Sequence, residues 1–233
     1  SSGHLVIFEN LLDYAGGLEF EVALHFGTLM AVFVYFGKEI TDIIEDLFKR
    51  RWGSKNSKLG FLIIIATIPA AIVGFLFRDV FEFAFGSLGI IALVFGVTGL
   101  FLFIASLGFK SGGKFGYGRS FLIGCAQILS LFPGVSRSGA TISSGLLLGL
   151  NEKDAVKFSF LMSIPIIFGA NVLAIGSRTL PSELIWATMV SFFVGLLSLH
   201  FVYKYILTSR KNLRWFGLYA LVLALGIGVF VLF

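Results

Sequence analysis

Charge is what this chain of 233 residues has least of. Asp, Glu, Lys and Arg make up 13% of it, against 57% hydrophobic residues and a mean hydropathy of +0.96. A soluble domain carries about 25% charged residues, so half of the usual solvating surface is missing and a water-exposed globule is excluded. Cysteine is almost absent as well. Cys125 stands alone, which rules out an internal disulfide, and its apolar neighbours lead us to expect a buried structural thiol. The stretch KSGGKFGYGRS (110–120) lacks the GxxxxGK[ST] order, so it is no P-loop. The chain as given does not open with a basic segment followed by an apolar one, and no cleavable signal peptide is expected. The formal charge of +5 is informative through its distribution, and no nucleic-acid partner is expected.

Oil is present in abundance, with 28 Phe and 28 Gly. That mixture suits a polytopic helical membrane protein, in which Gly lets helices approach and bulky apolar groups face lipid. Runs long enough to cross a bilayer, about 20 residues, fall at 20–37, 59–77, 87–109, 157–176, 184–205 and 214–233. Between the third and fourth lie two shorter apolar stretches, SFLIGCAQILSLF (120–132) and GATISSGLLLGL (139–150). At 1.5 Å per residue each reaches about 20 Å, short of a core about 30 Å thick. Two half-length helices joined at PGVSRS predict a re-entrant hairpin. Irregular backbone at that depth is tolerated only under cover of protein or beside a wet cavity.

The basic residues agree. With a hairpin at 120–150, fifteen of the 18 Lys and Arg fall in loops on one side; Arg78 and Arg178 lie on the other, and Arg137 sits in the hairpin. A crossing there would leave a split of ten to seven. The positive-inside rule prefers the hairpin and makes the basic loops cytoplasmic. Residues 38–58 form the one long charged loop, and Ile40, Ile43, Ile44, Leu47 and Phe48 at helical spacing predict a helix lying on the cytoplasmic surface. Pro69 and Pro165 predict kinks inside spans, and GLLLG (145–149) predicts close helix packing.

The opening SSGHLVIFENLL parallels RSGATISSGLLL: each begins Ser-Gly, continues as a short apolar helix and leads to a Phe-headed span, at Phe20 and Phe158. The expected fold is therefore an all-α polytopic membrane protein with an inverted repeat. Each unit is a re-entrant hairpin plus three transmembrane helices. The first unit covers 1–109 with its hairpin incomplete, 110–119 is a cytoplasmic loop, and the second covers 120–233. Three crossings separate the hairpins, so they enter from opposite faces and meet near the midplane.

An arginine at bilayer depth is costly and is functional by default. Around Arg137 each neighbour suits a phosphate. Pro133 ends the first half-helix, Gly134 and Gly139 allow turns and close approach, and Ser136, Ser138 and Thr141 add hydroxyls. The guanidinium is a forked, permanent cation matched to phosphate oxygens, and the half-helix from Gly139 points its N-terminus at the same spot. SSGH is the apparent partner: His4 as general acid or base, Ser1 or Ser2 as phosphate ligand or activated hydroxyl. Glu21 and His25, one helical turn apart, share a face that lines the same cavity or sits at the interface.

These residues resemble a known family, the integral-membrane undecaprenyl-diphosphate phosphatases linked to bacitracin resistance. PGVSRSGATIS matches that family's second signature, FSFLMSIPIIFGA and LHFGTLMAV are similar to its spans, and the likeness runs the full length. It implies hydrolysis of the polyprenyl diphosphate carrier to monophosphate and inorganic phosphate, recycling the carrier for cell-wall synthesis. It implies the bacterial inner membrane, with an active site opening to the external side. By the same resemblance Arg137, Ser136, Ser138 and Thr141 hold the diphosphate, Ser1 and His4 end the first signature, and Mg²⁺ or Ca²⁺ assists. The family's first signature starts upstream with Glu-x-x-x-Glu, and this sequence opens inside it, so the metal ligands are expected outside this chain. The alternative is a transporter of the polyprenyl carrier or another anion, since inverted repeats with broken helices are a transport architecture. A homodimer is compatible with the sequence and not indicated by it.

Overall fold

Apolar segments in a bilayer become helices because each backbone N–H and C=O must be satisfied within the segment. The computed structural model describes residues 2–13, 16–108, 115–175, 182 and 184–232, and every regular element among them is helical. In chain order these are α1 (Ser2–Leu12), α2 (Gly17–Tyr35), α3 (Gly37–Phe48), α4 (Lys55–Leu76), α5 (Arg78–Phe85) and α6 (Leu88–Ser106). Then follow α7 (Tyr117–Ile128), α8 (Arg137–Leu147), α9 (Glu152–Ile175), α10 (Leu184–Thr208) and α11 (Leu213–Leu232). Helices α4, α6, α9, α10 and α11 are each long and apolar enough to cross a membrane, and α2 supplies a sixth candidate together with α3, from which it is bent by 76°. These are the six spans read from the sequence, with shifted ends. The protein is a multi-pass, all-α membrane protein.

Its outer surface is apolar rather than wet. Protein buries only 6% of the apolar stretch of α10 and 17% of that of α11, leaving Trp186, Leu197 and Leu225 exposed. Contiguous apolar surface of that extent needs a non-aqueous partner, here lipid.

Three close helix pairs build the interior: α6 with α11, α2 with α10, and α4 with α7. Gly99 and Gly217 set the first, since a Cβ on either would come within 2.8 Å of the other's carbonyl oxygen. In the second the Ser191 hydroxyl donates to the Leu24 carbonyl at 2.6 Å. In the third the Ser120 hydroxyl donates to the Leu62 carbonyl. Hydroxyl-to-carbonyl bonds of this kind fasten helices where no hydrophobic force acts between them. Pro69 and Pro165 lie inside α4 and α9.

After α7 a 3₁₀ turn over Leu129–Leu131 reverses the chain into α8, which packs back against α7. The two helices have 12 and 11 residues, so two short helices joined by a turn occupy the stretch read at 120–150, with the first starting at Tyr117. The small residue Gly145 lets α8 close on Ala155 of α9, the close packing that GLLLG predicted, whereas Gly149 (φ +90°) serves the turn after α8. Cys125 is only half-buried, not the buried thiol expected. It stands one turn beyond exposed Phe121, so α7 carries it on its outer edge. The short helix α5 was not legible in the sequence.

Helix α3 confirms the helical reading of the charged loop. It buries Ile43 and leaves Ile44 and Phe48 exposed. Its C-terminal turn is organised by buried Asp46, whose Oδ1 accepts from Arg51 Nη1 at 3.1 Å and whose Oδ2 accepts from Asn56 Nδ2 at 3.0 Å. Hydrogen bonds from Ser54, Asn56 and Arg51 outweigh the cost of removing the carboxylate from water and hold its pKa below the ordinary value. A depressed folded-state pKa contributes stability above the unfolded value of about 3.9, lost as pH falls through the folded value. Asp46→Asn is therefore expected to speed proteolytic cleavage of the 49–54 loop at neutral pH. The difference from the unsubstituted protein should shrink once the acid range is reached, as limited proteolysis across pH will show.

Candidate functional site

The tip of the α7–α8 hairpin is shaped by local rules. Pro133 and Gly134 follow the 3₁₀ turn, and Gly134 holds φ +106°, a conformation that favours glycine. Ser136 then caps α8: its backbone is extended and its Oγ accepts the Gly139 N–H at 3.1 Å. A Cβ on Gly139 would meet the Ser136 Cβ and Oγ at 3.0 Å, so the glycine preserves the cap. Ser138 Oγ lies 3.4 Å from Ser136 Oγ. Thr141, 1% exposed, donates to the Arg137 carbonyl at 2.8 Å, which leaves its oxygen to accept from Ser159 Oγ at 2.6 Å. Arg137 opens the helix on this braced turn.

The opening of the chain abuts that tip. A Cβ on Gly3 would sit 2.5 Å from Gly134 Cα and 2.6 Å from its nitrogen. Backbone thus touches backbone where α1 meets the hairpin, and Ser2 reaches the cavity in front of it. That cavity, about 570 Å³, is walled by α2, α7, the hairpin tip, α9 and α10. Of the residues read from the sequence, Ser2, Ser136, Arg137, Ser138, Glu21 and His25 line it. Glu21 and His25 share one face of α2, as their spacing of four requires.

Three other expected residues stand elsewhere. Thr141 lies behind the wall, tying α8 to α9, and Gly139 is buried beneath the cap; neither is among the lining residues. His4 also faces away. Its Nε2 meets the Tyr219 hydroxyl at 2.8 Å, and its ring lies edge-on to Phe95 at 5.2 Å and parallel to Tyr219 at 5.9 Å. The reason is helical geometry: residues two apart on an α-helix do not share a face. Once Ser2 turns toward the cavity, His4 must turn toward α6 and α11. Ser1 lies outside the described residues.

Arg137 and Glu21 bring one charge of each sign to the cavity wall, with no ion pair between them among the described residues. Arg137 Nη1 is buried without a hydrogen-bond partner among the described residues, and no ion pair to Arg137 is found there. A guanidinium nitrogen buried without a partner is costly, and an anion entering the cavity would satisfy it. Gln127, Ser130, Ser159, Ser163, Asn171 and Ser198 add a polar lining that the sequence reading missed. Their signal was available, since Gln127 and Asn171 are amides inside otherwise apolar helices.

A divalent cation fits these residues poorly. No group of three or more His, Cys, Asp or Glu side chains able to hold a metal occurs among the described residues. On the cavity wall Glu21 and His25 are the residues of those types, two ligands where Mg²⁺ or Ca²⁺ takes six or more oxygens.

Fold and site together define a polytopic membrane protein with a cationic, hydroxyl-rich hairpin tip facing a cavity lined by hydroxyl, amide and apolar side chains. The chain matches the family described as bacitracin resistance protein BacA over residues 1–226, and it belongs to that family. Among curated relatives it is 36% identical to an undecaprenyl-diphosphatase of Methanococcus vannielii, over 97% of this chain and 90% of that protein. It is 40% identical to one of Thermosipho melanesiensis, over 97% and 89%. It is 37% identical to one of Trichlorobacter lovleyi, over 100% and 89%.

Proposed function

We propose that this protein hydrolyses undecaprenyl diphosphate to undecaprenyl phosphate and inorganic phosphate, recycling a lipid carrier of cell-wall synthesis. Arg137, at the wall of the cavity and with Nη1 unpartnered among the described residues, is the observation that carries this reading. The names of the relatives favour hydrolysis over transport. The diphosphate occupies the cavity while the prenyl tail remains among exposed Phe and Leu side chains. Water supplies the balance: its oxygen ends on the terminal phosphorus as the bond from that phosphorus to the bridging oxygen breaks. Its protons pass to the solvent or the products, and negative charge gathers on the departing prenyl phosphate. Arg137 neutralises it, with Ser2, Ser136 and Ser138 as hydroxyl ligands; fixed donors of this kind are the main source of phosphoryl-transfer catalysis. The proton-transfer role expected of His4 would require its ring to leave Tyr219, so no step is assigned to it. Mg²⁺ or Ca²⁺ is proposed as cofactor from the family resemblance alone, and no step is routed through it. The location proposed is the bacterial inner membrane, with the cavity reached from the external side, where α2 begins and Glu21 stands.

The direct test is phosphate release from undecaprenyl diphosphate by the purified protein, in detergent and in sealed vesicles. Release without transbilayer movement of the lipid is the expected result. Movement without release would overturn the reading in favour of transport.

A further inference from the structure

Two buried amides carry side-chain atoms that are unpartnered among the described residues. Gln127 on α7 is 1% exposed, and neither its Nε2 nor its Oε1 has a hydrogen-bond partner among the described residues. Asn171 on α9 is 6% exposed, and its Nδ2 is likewise unpartnered. Both line the cavity that holds Arg137, whose Nη1 shares the same condition. Buried polar groups in folded proteins are almost always paired, and an unpaired one destabilises the protein that carries it. Apolar residues at 127 and 171 would relieve that cost. The amides are therefore accounted for by something that enters the cavity, not by the fold around it.

The chemistry of that occupant follows from what is unmet. The unsatisfied groups are N–H donors from three helices, α7, α8 and α9, so the occupant must present oxygens in several directions. Gln127 Oε1 asks in addition for one donor, such as a water or a protonated phosphate oxygen brought in with the ligand. A cavity of about 570 Å³ falls in the size range of small-molecule sites and has room beyond the group that Arg137 and the hairpin hydroxyls can hold. The two amides are neutral, so they add hydrogen bonds without adding to the positive charge that also attracts the product.

We propose that Gln127 and Asn171 are the specificity-determining residues that select a prenyl diphosphate over a prenyl monophosphate, by binding the phosphate oxygens that Arg137 and the hairpin leave free. The inference rests on the diphosphatase reading given above and deepens it. A monophosphate satisfies the hairpin tip alone and leaves the amides unpaired, so the product is held less tightly than the substrate and departs.

The test measures binding apart from turnover. The probes are farnesyl methylenediphosphonate, in which a CH₂ replaces the hydrolysable bridging oxygen, and farnesyl monophosphate. The proteins are the purified wild type, Gln127→Met and Asn171→Leu, substitutions chosen to keep volume. Each variant is expected to bind the diphosphonate about tenfold more weakly, the loss of one charge-assisted hydrogen bond. The Kd for the monophosphate should change less than twofold, and the ligand-free melting temperature should hold or rise. An unchanged diphosphonate Kd, an equal loss for both probes, or a lowered ligand-free melting temperature would each overturn the proposal. The melting measurement matters because a merely structural amide would lower it. Wild-type protein that prefers the diphosphonate yet releases no phosphate from undecaprenyl diphosphate would sink the diphosphatase reading and leave this selectivity standing. Wild-type protein that hydrolyses while both variants keep their affinity would sink the selectivity alone. Failure of the wild type to bind either probe would remove both.

Discussion

Arg137→Ala is expected to lower the rate of phosphate release by about 10³-fold or more, with little loss of stability. The magnitude follows from what a single arginine contributes when it faces a phosphoryl group in flight, about 10³ to 10⁵ in rate, or about 4–7 kcal/mol of barrier. The stability half follows from the geometry. Arg137 Nη1 is buried and makes no hydrogen bond among the described residues, so truncation removes an uncompensated charge rather than a structural pair. Arg137→Lys should restore little, because an ammonium is a point charge without the planar fork. Phosphate release and thermal unfolding measured on the same preparation test both halves. A variant that keeps full rate refutes the assignment, and one that fails to fold shows that the arginine holds the hairpin instead.

Gly3→Ala is the second large effect, and it acts through shape. The new methyl would lie 2.5 Å from Gly134 Cα, 2.6 Å from Gly134 N and 3.0 Å from the Phe95 ring. Two of these are backbone atoms of a turn at φ +106°, which cannot swing aside as a side chain would. Either α1 or the hairpin tip must move, at a cost of about 1–3 kcal/mol for an overpacked contact. Ser2 and Arg137 sit on opposite sides of that contact and both line the cavity. Displacement by about 1 Å is enough to cost about 10² in rate, so activity should fall further than stability. Gly226→Ala is the matched control, since a Cβ there meets nothing within 4 Å, and it should leave both measurements unchanged. Equal behaviour of the two variants would show that the contact between α1 and the hairpin does not position the site.

Much of the architecture was legible because the bilayer imposes lengths. A run of 20 apolar residues is a span and a run of 12 is not, and that arithmetic separated α7 and α8 from the other helices before any contact was known. The helical character of α3 was equally plain from Ile and Leu at helical spacing beside Lys and Glu. Helix α5 was missed because eight residues carry too little periodicity to stand out between two spans. Cys125 was misjudged because apolar neighbours in sequence do not say which side of a helix faces protein when the other side faces lipid.

The site divides along the same line. The arginine-bearing turn is a local motif, so its ingredients sit together in the sequence: Pro133, Gly134, the Ser136 cap and Arg137. Glu21 and His25 were paired by spacing alone. By contrast, Gln127 and Asn171 come from helices far apart in the chain, and nothing local marks them as facing one space. His4 shows the opposite error, since adjacency to Ser2 in sequence becomes opposition on a helix.

From its sequence alone this protein was bound to lie in a membrane, to fold as helices, and to carry an arginine-bearing turn between two short helices, because hydropathy, segment length and short-range turn chemistry act over a few residues at a time. Which polar side chains share the cavity, and which face away from it, was decided by how the helices are rotated and packed. That rotation depends on contacts such as Gly3 against Gly134 and Ser120 against Leu62, made between residues more than fifty positions apart.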